Sequence, residues 1–294
     1  MAVSKDLVRV SPDEFLNRIR TELIPVNRQF SFFQAGTSLG EEDVREYINE
    51  PIAALPAGIA SRLPRVSILL VPFLEAGRKE KENGEGAAKP RARERKSPPA
   101  VNGRNNDAEG VHVLFERPPE GRRIPWASMR LGDQSMLLFA VQDMEVADYH
   151  YHLFHELARL AASRLTEAET RDYNGLLREE LISGVNGEVD DLSWTMKQAL
   201  RRRQTNMKRE TKGFLDYAKE SLIDTLTLYL HGLCCDIDVE TGPRQLPSRF
   251  LRKRLEAIED LFPPPKGYAL FPEDLEDAEE ERAEAPAARA ETIQ

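Results

Sequence analysis

The chain has 294 residues, of which 40% are hydrophobic and 31% are charged, and its formal net charge is −9. This length can bury the core of one large domain or of two small ones. The negative charge argues against a protein that coats nucleic acid or anionic membrane over its whole surface, and no apolar run approaches the roughly 18 residues that a membrane-spanning helix needs.

The N-terminal part predicts a capped helix. Ser11 is placed as the N-cap and Pro12 as the first helical residue. Phe15, Ile19 and Leu23 then fall on one face.

A second helix and the first strand follow. The helix is expected over residues 40–55, with Pro51 breaking or ending it because proline has no N–H to donate. Residues 65–75 form a Val/Ile/Leu run of strand length. Residues 1–75 are therefore assigned to N-terminal helices and a first strand.

Two segments have little to bury. Residues 76–110 consist largely of charged residues, Gly, Pro, Asn, Ala and Ser, which predicts a disordered charged insertion. Its sequence KPRARERK is similar to a nucleic-acid or localisation patch, but interleaved glutamates favour a solvated loop. Residues 271–294 form an acidic, alanine-rich tail that we expect to be disordered.

The remaining part, residues 111–270, predicts two strands and then helices. The strands are expected at 111–118 and 135–142. The fold class is therefore α+β, with a small three-stranded sheet, N-terminal helices and a mainly helical C-terminal half.

Four helices are expected after residue 165. Their sequences cover residues 166–185, 188–206, 210–233 and 246–262. The third carries an apolar stripe of Leu215, Ala218, Leu222, Leu226, Tyr229, Leu230 and Leu233. Ser248 is expected to cap the fourth, and the prolines from residue 263 onward to end it.

The two cysteines, Cys234 and Cys235, are adjacent. Neighbouring cysteines rarely bridge, and the chain has no third cysteine. The start of the chain also lacks the apolar segment of a secretory signal. We therefore expect two reduced thiols at a helix end in a cytoplasmic protein.

The segment YHYHLFHELARLAASR, residues 149–164, predicts an amphipathic helix with a motif on its polar face. The apolar face holds Val146, His150, Leu153, Phe154, Leu157, Leu160 and Ala161. The polar face holds His152, His155, Glu156, Arg159 and Ser163.

The sequence HELAR, residues 155–159, departs from the zinc-binding pattern H-E-x-x-H at one position. That pattern needs two imidazoles one helical turn apart, with a glutamate that takes a proton from the metal-bound water. Arg159 stands in the place of the second histidine, and a guanidinium has no lone pair to donate to a metal. The standard zinc site therefore cannot form.

Two interpretations of this helix stay open. A substitute metal site could combine His152 and His155 with a carboxylate from Glu179 or Glu180. In the other interpretation, Arg159 pairs with Glu156 or with a glutamate of the next helix, and His155 serves as a hydrogen-bonding group.

The element order and two motifs resemble the minimal zincin domain of the ImmA/IrrE and ArdC-type metallopeptidases. The motifs are LFHELAR (153–159) and LREEL (177–181). The resemblance implies His155 as first zinc ligand, Glu156 as general base and Glu180 as third ligand, with Glu188 as a second glutamate donor. Arg159 departs from the family pattern at the second-ligand position.

Two basic clusters stand out in this acidic chain. One contains Lys197, Arg201, Arg202 and Arg203, and the other is RFLRKR at residues 249–254. They predict either contact with nucleic-acid phosphates or a solvated helical face covered by the acidic tail.

Three hypotheses follow. The first is a zincin-like protein with a degenerate metal site that binds an unknown protein partner and regulates it. The second is an active zinc metallopeptidase that uses His152, His155 and Glu180 as ligands and Glu156 as base. The third is a helical adaptor that binds nucleic acid through Arg201, Arg202 and Arg203. The sequence favours the first, without a metal cofactor and away from membranes.

Overall fold

The computed structural model describes residues 9–36, 39–77, 110–202, 210–235 and 244–271. The chain divides into two compact units, each made from two stretches of sequence. One unit comprises Met1–Leu39 and Arg65–Glu145, and the other comprises Gly40–Pro64 and Val146–Gln294. Nearly all of the predicted insertion and of the predicted acidic tail lies outside the described residues.

The described residues of the first unit form one longer helix, α1 (Pro12–Ile19), and two sheets. The strands are β1 (Ile24–Pro25), β2 (Phe30–Gln34), β3 (Arg65–Val71), β4 (Phe73–Ala76), β5 (Val111–Leu114), β6 (Arg123–Ile124), β7 (Trp126–Leu131) and β8 (Gln134–Ala140). The five-stranded sheet has the order β1-β2-β3-β8-β7, and the three-stranded sheet has the order β5-β4-β6.

The centre of the larger sheet is parallel. Strand β3 pairs in parallel with β2 on one side and with β8 on the other, and β7 closes the sheet as an antiparallel neighbour of β8. Every β3 residue except Arg65 is buried. A parallel strand covered on both faces has the continuous apolar composition seen in VSILLV.

The α+β class predicted from the sequence is confirmed, and the arrangement of the strands differs in detail. The expected strand at 65–75 is interrupted at Pro72, so that β3 belongs to the larger sheet and β4 to the smaller one. Strand β4 pairs with β5, which places the predicted insertion between two neighbouring strands of one sheet, as expected.

Helix α1 packs on the core of this first unit. Ser11 caps it as predicted, since its side-chain oxygen accepts a hydrogen bond from the Glu14 N–H at 3.3 Å. Phe15, Leu16 and Ile19 are buried in the same hydrophobic cluster as Leu69 and Val113.

The second unit is helical. Five longer helices make up most of its described part: α5 (Val146–Ala162), α6 (Glu167–Ile182), α7 (Asp191–Arg201), α8 (Lys212–Cys234) and α9 (Ser248–Leu261). They are preceded by α2 (Glu41–Val44), a π-helical turn (Arg45–Asn49), α3 (Glu50–Ala53) and α4 (Ala57–Ala60). None of the helices within the described ranges has the length and apolar character needed to cross a membrane.

Pro51 does not end the second predicted helix. It is the second residue of α3, directly after the π-helical turn. The Glu50 N–H donates to the Arg45 carbonyl, five residues back, so the chain takes one wide turn immediately before the proline. This wide turn lets the helix continue past a residue without an N–H.

The other helices begin and end close to the predicted positions. Thr166 and Glu169 form a reciprocal capping box at the start of α6. Ser248 is the first helical residue of α9 and Pro247 holds the capping position, so the predicted serine cap is off by one residue. Leu215 is 46% exposed, unlike the other residues of the predicted α8 stripe, which are buried.

Candidate functional site

The motif residues of α5 lie deeper than an amphipathic helix predicts. His155 is 5% exposed and Glu156 is fully buried, so the predicted polar face is wrong at these two positions. The helix is covered on more than one side, since Tyr149, Leu153 and Ala158 are buried as well. A buried carboxylate requires a cation or strong donors nearby, and the sequence places Arg159 one turn away.

Arg159 is the partner of Glu156. Its Nε lies 3.2 Å and 3.1 Å from the two carboxylate oxygens, and its second guanidinium nitrogen donates to Oε2 at 2.6 Å. Burial alone would raise the pKa of Glu156, but hydrogen bonds from His155 and Arg159 and the charge of Arg159 outweigh it and lower that pKa. Glu156 is therefore a stabilised, weakly basic carboxylate.

His152 and His155 both contact the ring of Tyr151. The ring of His155 stacks on Tyr151 with centroids 6.4 Å apart, and its Nδ1 lies 3.6 Å from the Glu156 carboxylate. The ring of His152 meets Tyr151 edge-on at 5.7 Å. Burial lowers the pKa of His152 to about 4, which keeps this imidazole neutral at physiological pH.

Glu180, the expected third ligand, belongs to a buried ionic cluster. Arg254 donates to both of its carboxylate oxygens and to both oxygens of Glu188. The ammonium group of Lys197 lies 2.9 Å from Glu188 and donates to the Gly187 carbonyl. We call Glu180, Glu188, Lys197 and Arg254 the ionic cluster.

Charge balance explains how the ionic cluster stays ionised inside the helical unit. Its two carboxylates face two cations, and all four side chains are at most 2% exposed. Burial favours the neutral acid, yet the charge and hydrogen bonds of Arg254, followed by the charge of Lys197, lower the pKa of Glu188 to about 2. Removing any one member would leave an uncompensated buried charge.

The residues present do not fit zinc at the site that the resemblance implies. Arg159 occupies the second-ligand position and holds Glu156, while the oxygens of Glu180 are occupied by Arg254. Glu179, the neighbouring alternative, is exposed on α6. The set of His152, His155 and Glu180 stays a prediction, and these contacts do not favour it.

A different group of metal-ligand side chains comes together in the helical unit. His150, His231 and Cys235 place one ligand atom each within 4.8 Å of one another. His150 lies on α5, His231 lies on the last turn of α8, and Cys235 directly follows α8. Helices α5 and α8 pack against each other, which brings the three side chains together.

Hydrogen bonds orient His150 within this group. Its Nε2 lies 3.0 Å from the Glu46 carbonyl, and its Nδ1 lies 3.2 Å from the Cys235 sulfur. A carbonyl only accepts, so Nε2 carries a proton and Nδ1 faces the sulfur. Burial opposes the charged imidazole, but the hydrogen bonds to Cys235 and Glu46 outweigh it and raise the pKa of His150.

Cys235 has the environment of a reactive thiol. A hydrogen bond from Cys234 is the largest of the effects that lower its pKa, and hydrogen bonds from His150 and His231 add to it against the opposing effect of burial. Its neighbour Cys234 has a raised pKa. Neither cysteine forms a disulfide.

The π-helical turn contributes to the site through its backbone. In a regular α-helix residue 51 would donate to the Tyr47 carbonyl, and in a π-helix to the Glu46 carbonyl. Pro51 can do neither, because it has no N–H. These two carbonyls instead accept hydrogen bonds from His150 and from the Tyr149 hydroxyl, the latter at 2.7 Å.

This group is not among the sites predicted above, although the sequence contains a usable signal for it. His231 and Cys235 are four residues apart, which is the spacing of two ligands one helical turn from each other. His150 was assigned to the apolar face, and 4% exposure agrees with that assignment. That His150 belongs to this group could not be predicted, because no sequence pattern links residue 150 to residue 231.

The basic clusters present less charge at the surface than their sequence indicates. Lys197 and Arg254, which belong to these clusters, are fully buried in the ionic cluster. Arg201 donates to the Asn186 side chain at 3.2 Å and Arg202 is exposed. Arg203 lies outside the described residues.

Comparison of the chain with models of protein families, with curated proteins and with solved structures finds no match.

Proposed function

We propose that the chain is a zincin-like protein that acts by binding and not by catalysis, as a cytoplasmic regulatory protein with a protein partner. The observation that carries this proposal is the contact between Arg159 and both carboxylate oxygens of Glu156. In the resemblance, Glu156 is the residue that would perform the proton transfer.

The chemistry of a general base explains why this contact matters. A base that takes a proton from water needs a lone pair within hydrogen-bond reach of that water and a pKa near the working pH. Arg159 occupies the lone pairs of Glu156, and the pKa of this carboxyl is lowered. Both effects oppose proton abstraction, whereas both stabilise a buried ion pair.

The ligand positions support the same conclusion against the metallopeptidase alternative. A catalytic zinc site keeps three protein ligands and one open position. Arg159 cannot be a ligand, and a Glu180 that turned toward a metal would leave Arg254 without half of its carboxylate partners in a fully buried site.

A protein partner fits the charge distribution better than a nucleic acid does. Two of the cations that suggested a basic face, Lys197 and Arg254, neutralise buried carboxylates. A third, Arg252, pairs with Glu256 at 3.0 Å. The cytoplasmic location is supported by the two unbridged cysteines, since disulfides persist in oxidising compartments.

A peptidase assay tests the non-catalytic part of the proposal. The full chain is incubated with equimolar zinc and an unfolded protein substrate such as casein, and new amino termini are measured over time. The matched control is Glu156→Gln, which removes the only base that the motif offers. We expect the same background release from both proteins.

Release of peptides by the wild-type chain that disappears in Glu156→Gln would overturn the proposal and establish the metallopeptidase. Circular dichroism of the variant shows whether it keeps the wild-type helix content. Release that is equal in both proteins and sensitive to inhibitors of serine peptidases identifies a contaminating peptidase, which leaves the expected result in place.

A further inference from the structure

The group of His150, His231 and Cys235 contains none of the HELAR residues and shares no member with the expected ligand set. It combines two imidazoles and one thiol contributed by two packed helices. We propose that these three side chains form a binding site for a thiophilic divalent transition-metal ion, and that Zn²⁺ is the ion their donor set fits. This proposal is independent of the proposed function.

The distances between the ligand atoms of the group are close to those in a tetrahedral zinc site. Zinc binds nitrogen at about 2.0–2.1 Å and sulfur at about 2.3 Å, which sets the nitrogen–sulfur edge of a tetrahedral site at about 3.6 Å. His150 Nδ1 and Cys235 Sγ are 3.2 Å apart, and all three ligand atoms lie within 4.8 Å of one another. Bringing atoms that are up to 4.8 Å apart to an edge of this length takes side-chain shifts of about 1 Å.

His150 is oriented as metal-ligating histidines are. Such histidines donate the N–H that faces away from the metal to a carboxylate or a carbonyl, which fixes the tautomer and directs the other nitrogen at the ion. The Glu46 carbonyl accepts from Nε2 at 3.0 Å, and Nδ1 lies 3.2 Å from the Cys235 sulfur. This backbone carbonyl is available because Pro51 cannot donate to it.

The other two ligands are held one helical turn apart. The Cys235 N–H donates to the His231 carbonyl at 2.9 Å, which fixes the two residues relative to each other at the end of α8. His150 is buried whereas His231 and Cys235 are half-buried, so the site opens toward solvent on the α8 side. The described part of the chain brings three ligands together, and the accessible side gives room for a fourth such as water.

The aromatic surroundings favour a tight site. The ring of Phe154 lies 6.2 Å from that of His150 and 5.9 Å from that of His231. An apolar shell around a metal site limits competing water and strengthens the bonds to the ion. When the ion binds, Cys235 Sγ and His150 Nδ1 each give a lone pair to the metal, and the proton that lies between these two atoms passes to bulk water.

Cobalt titration of the full chain tests the proposal. The protein, without a purification tag and kept reduced, is treated with a chelator, dialysed and titrated with Co²⁺. We expect saturation at about one ion per chain, with a near-ultraviolet thiolate-to-cobalt band and visible absorption of tetrahedral intensity, and displacement by Zn²⁺.

Matched variants assign the ligands. Cys235→Ser removes the thiolate and His231→Gln removes one imidazole, and each should weaken Co²⁺ binding by more than the about 10–100-fold that the loss of an outer partner costs. His152→Gln, at a histidine on the same helix as His150, should bind Co²⁺ like the wild type. Cys234→Ser, whose hydroxyl can still donate to Cys235, should weaken binding by about tenfold at most.

Two outcomes would overturn the proposal. They are the absence of a charge-transfer band in the wild type and a band that survives in Cys235→Ser. Far-ultraviolet circular dichroism verifies that each variant is folded. If Cys235→Ser does not fold, two other measurements test the proposal. Co²⁺ binding should be weakened in His231→Gln, and Zn²⁺ should raise the melting temperature of the wild type, since an ion that binds the native state stabilises it.

Discussion

At the scale of single residues, the side chain at position 159 determines whether the HELAR helix offers a second metal ligand or a cation for Glu156. A histidine at position 159 would offer a lone pair to a metal, whereas Arg159 offers two N–H groups to the carboxylate beside it. Arg159, which departs from the zinc-ligand pattern, thus supplies the cation that makes the burial of Glu156 tolerable. In the proposed function, the departure from the zinc-ligand pattern and the stabilisation of Glu156 have one cause.

We predict that Arg159→Met destabilises the protein by about 2 kcal/mol. The change leaves the fully buried Glu156 without its cation, while the 37% exposure of the Arg159 side chain moderates the loss. Urea denaturation measures it. Arg171→Met, at an exposed arginine of α6, is the control and should stay within about 0.5 kcal/mol of the wild type.

A double-mutant cycle separates this ion pair from the packing of the arginine stem. If the pair accounts for the effect, Glu156→Gln in the Arg159→Met background should cost less than Glu156→Gln alone, with a coupling of about 1 kcal/mol or more. Additive costs would contradict the structural role that we assign to Glu156.

At the scale of elements, the ionic cluster connects three helices and a connecting segment of the second unit. Glu180 comes from α6, Lys197 from α7 and Arg254 from α9, and Glu188 lies between α6 and α7. Tyr217 of α8 also donates to Glu188. Each helix was predictable from its own periodicity, but the cluster was not, because sequence periodicity assigns charged residues to the surface.

We predict that the ionic cluster produces an acid-sensitive fraction of the stability. The folded pKa of Glu188 is about 2, below its ordinary value of 4.5, so its stabilisation is complete above pH 4.5 and is lost as the pH falls through 2. The size of this contribution is about 3 kcal/mol. Urea denaturation at a series of pH values from 6 to 2.5 measures it.

Glu188→Gln identifies the source of that pH dependence. The variant should lose about 3–5 kcal/mol at neutral pH, because Lys197 and Arg254 then face one carboxylate. Its stability should also fall less steeply with acid than that of the wild type. Glu179→Gln, at the exposed neighbour of Glu180, should keep the wild-type profile. An unchanged acid limb in Glu188→Gln would assign the effect to other carboxyls.

The π-helical turn shows how far local sequence rules extend. Pro51 correctly signals an interruption of the α-helical hydrogen-bond ladder, but the chain responds with one wide turn and continues as a helix. The wide turn is stabilised by contacts that are distant in sequence, since His150 and Tyr149 supply the donors that Pro51 lacks. A rule confined to neighbouring residues cannot anticipate donors from a helix about one hundred residues later.

We predict that Pro51→Ala weakens metal binding at His150, His231 and Cys235 by about 10–100-fold without changing a ligand. The alanine N–H would compete for the Glu46 carbonyl and release Nε2 of His150 from its present orientation. Cobalt titration measures the affinity, and Pro56→Ala, at the start of α4, is the matched control. Equal affinities in the two variants would separate the π-helical turn from the metal site.

The strands, like the helices, depend in part on contacts that are distant in sequence and that local patterns do not predict. The Val/Ile/Leu runs of β3 and β8 were predicted because parallel strands buried on both faces are continuously apolar. Strands β2 and β7 were missed, because FSFFQ and WASMRL mix apolar and polar residues without strict alternation. Their pairing depends on β3 and β8, so it becomes visible only when the sheet is assembled.

At the scale of the whole molecule, the net charge and the positions of individual cations both argue against strong binding of nucleic acid. The chain carries −9 overall, and the cations Lys197 and Arg254 of its basic clusters are used inside the helical unit. Nucleic-acid affinity depends on the number of cations that can reach phosphates. The distribution of charge therefore favours a protein partner, which is a proposal that binding measurements can contradict.

We predict that the full chain binds a labelled DNA duplex or RNA hairpin no more tightly than about 10⁻⁶ M at physiological salt, within the range of non-specific contact. Fluorescence anisotropy over a series of salt concentrations measures this affinity. The joint substitution of Arg201, Arg202 and Arg203 by Gln should change it no more than the same substitution at Arg20, Arg28 and Arg65, which are exposed arginines of the first unit. Tighter binding that weakens steeply with salt, and that is lost when Arg201, Arg202 and Arg203 are replaced but not in the control variant, would establish the nucleic-acid adaptor instead. Only contacts of those three residues with phosphates would produce both the salt dependence and the selective loss.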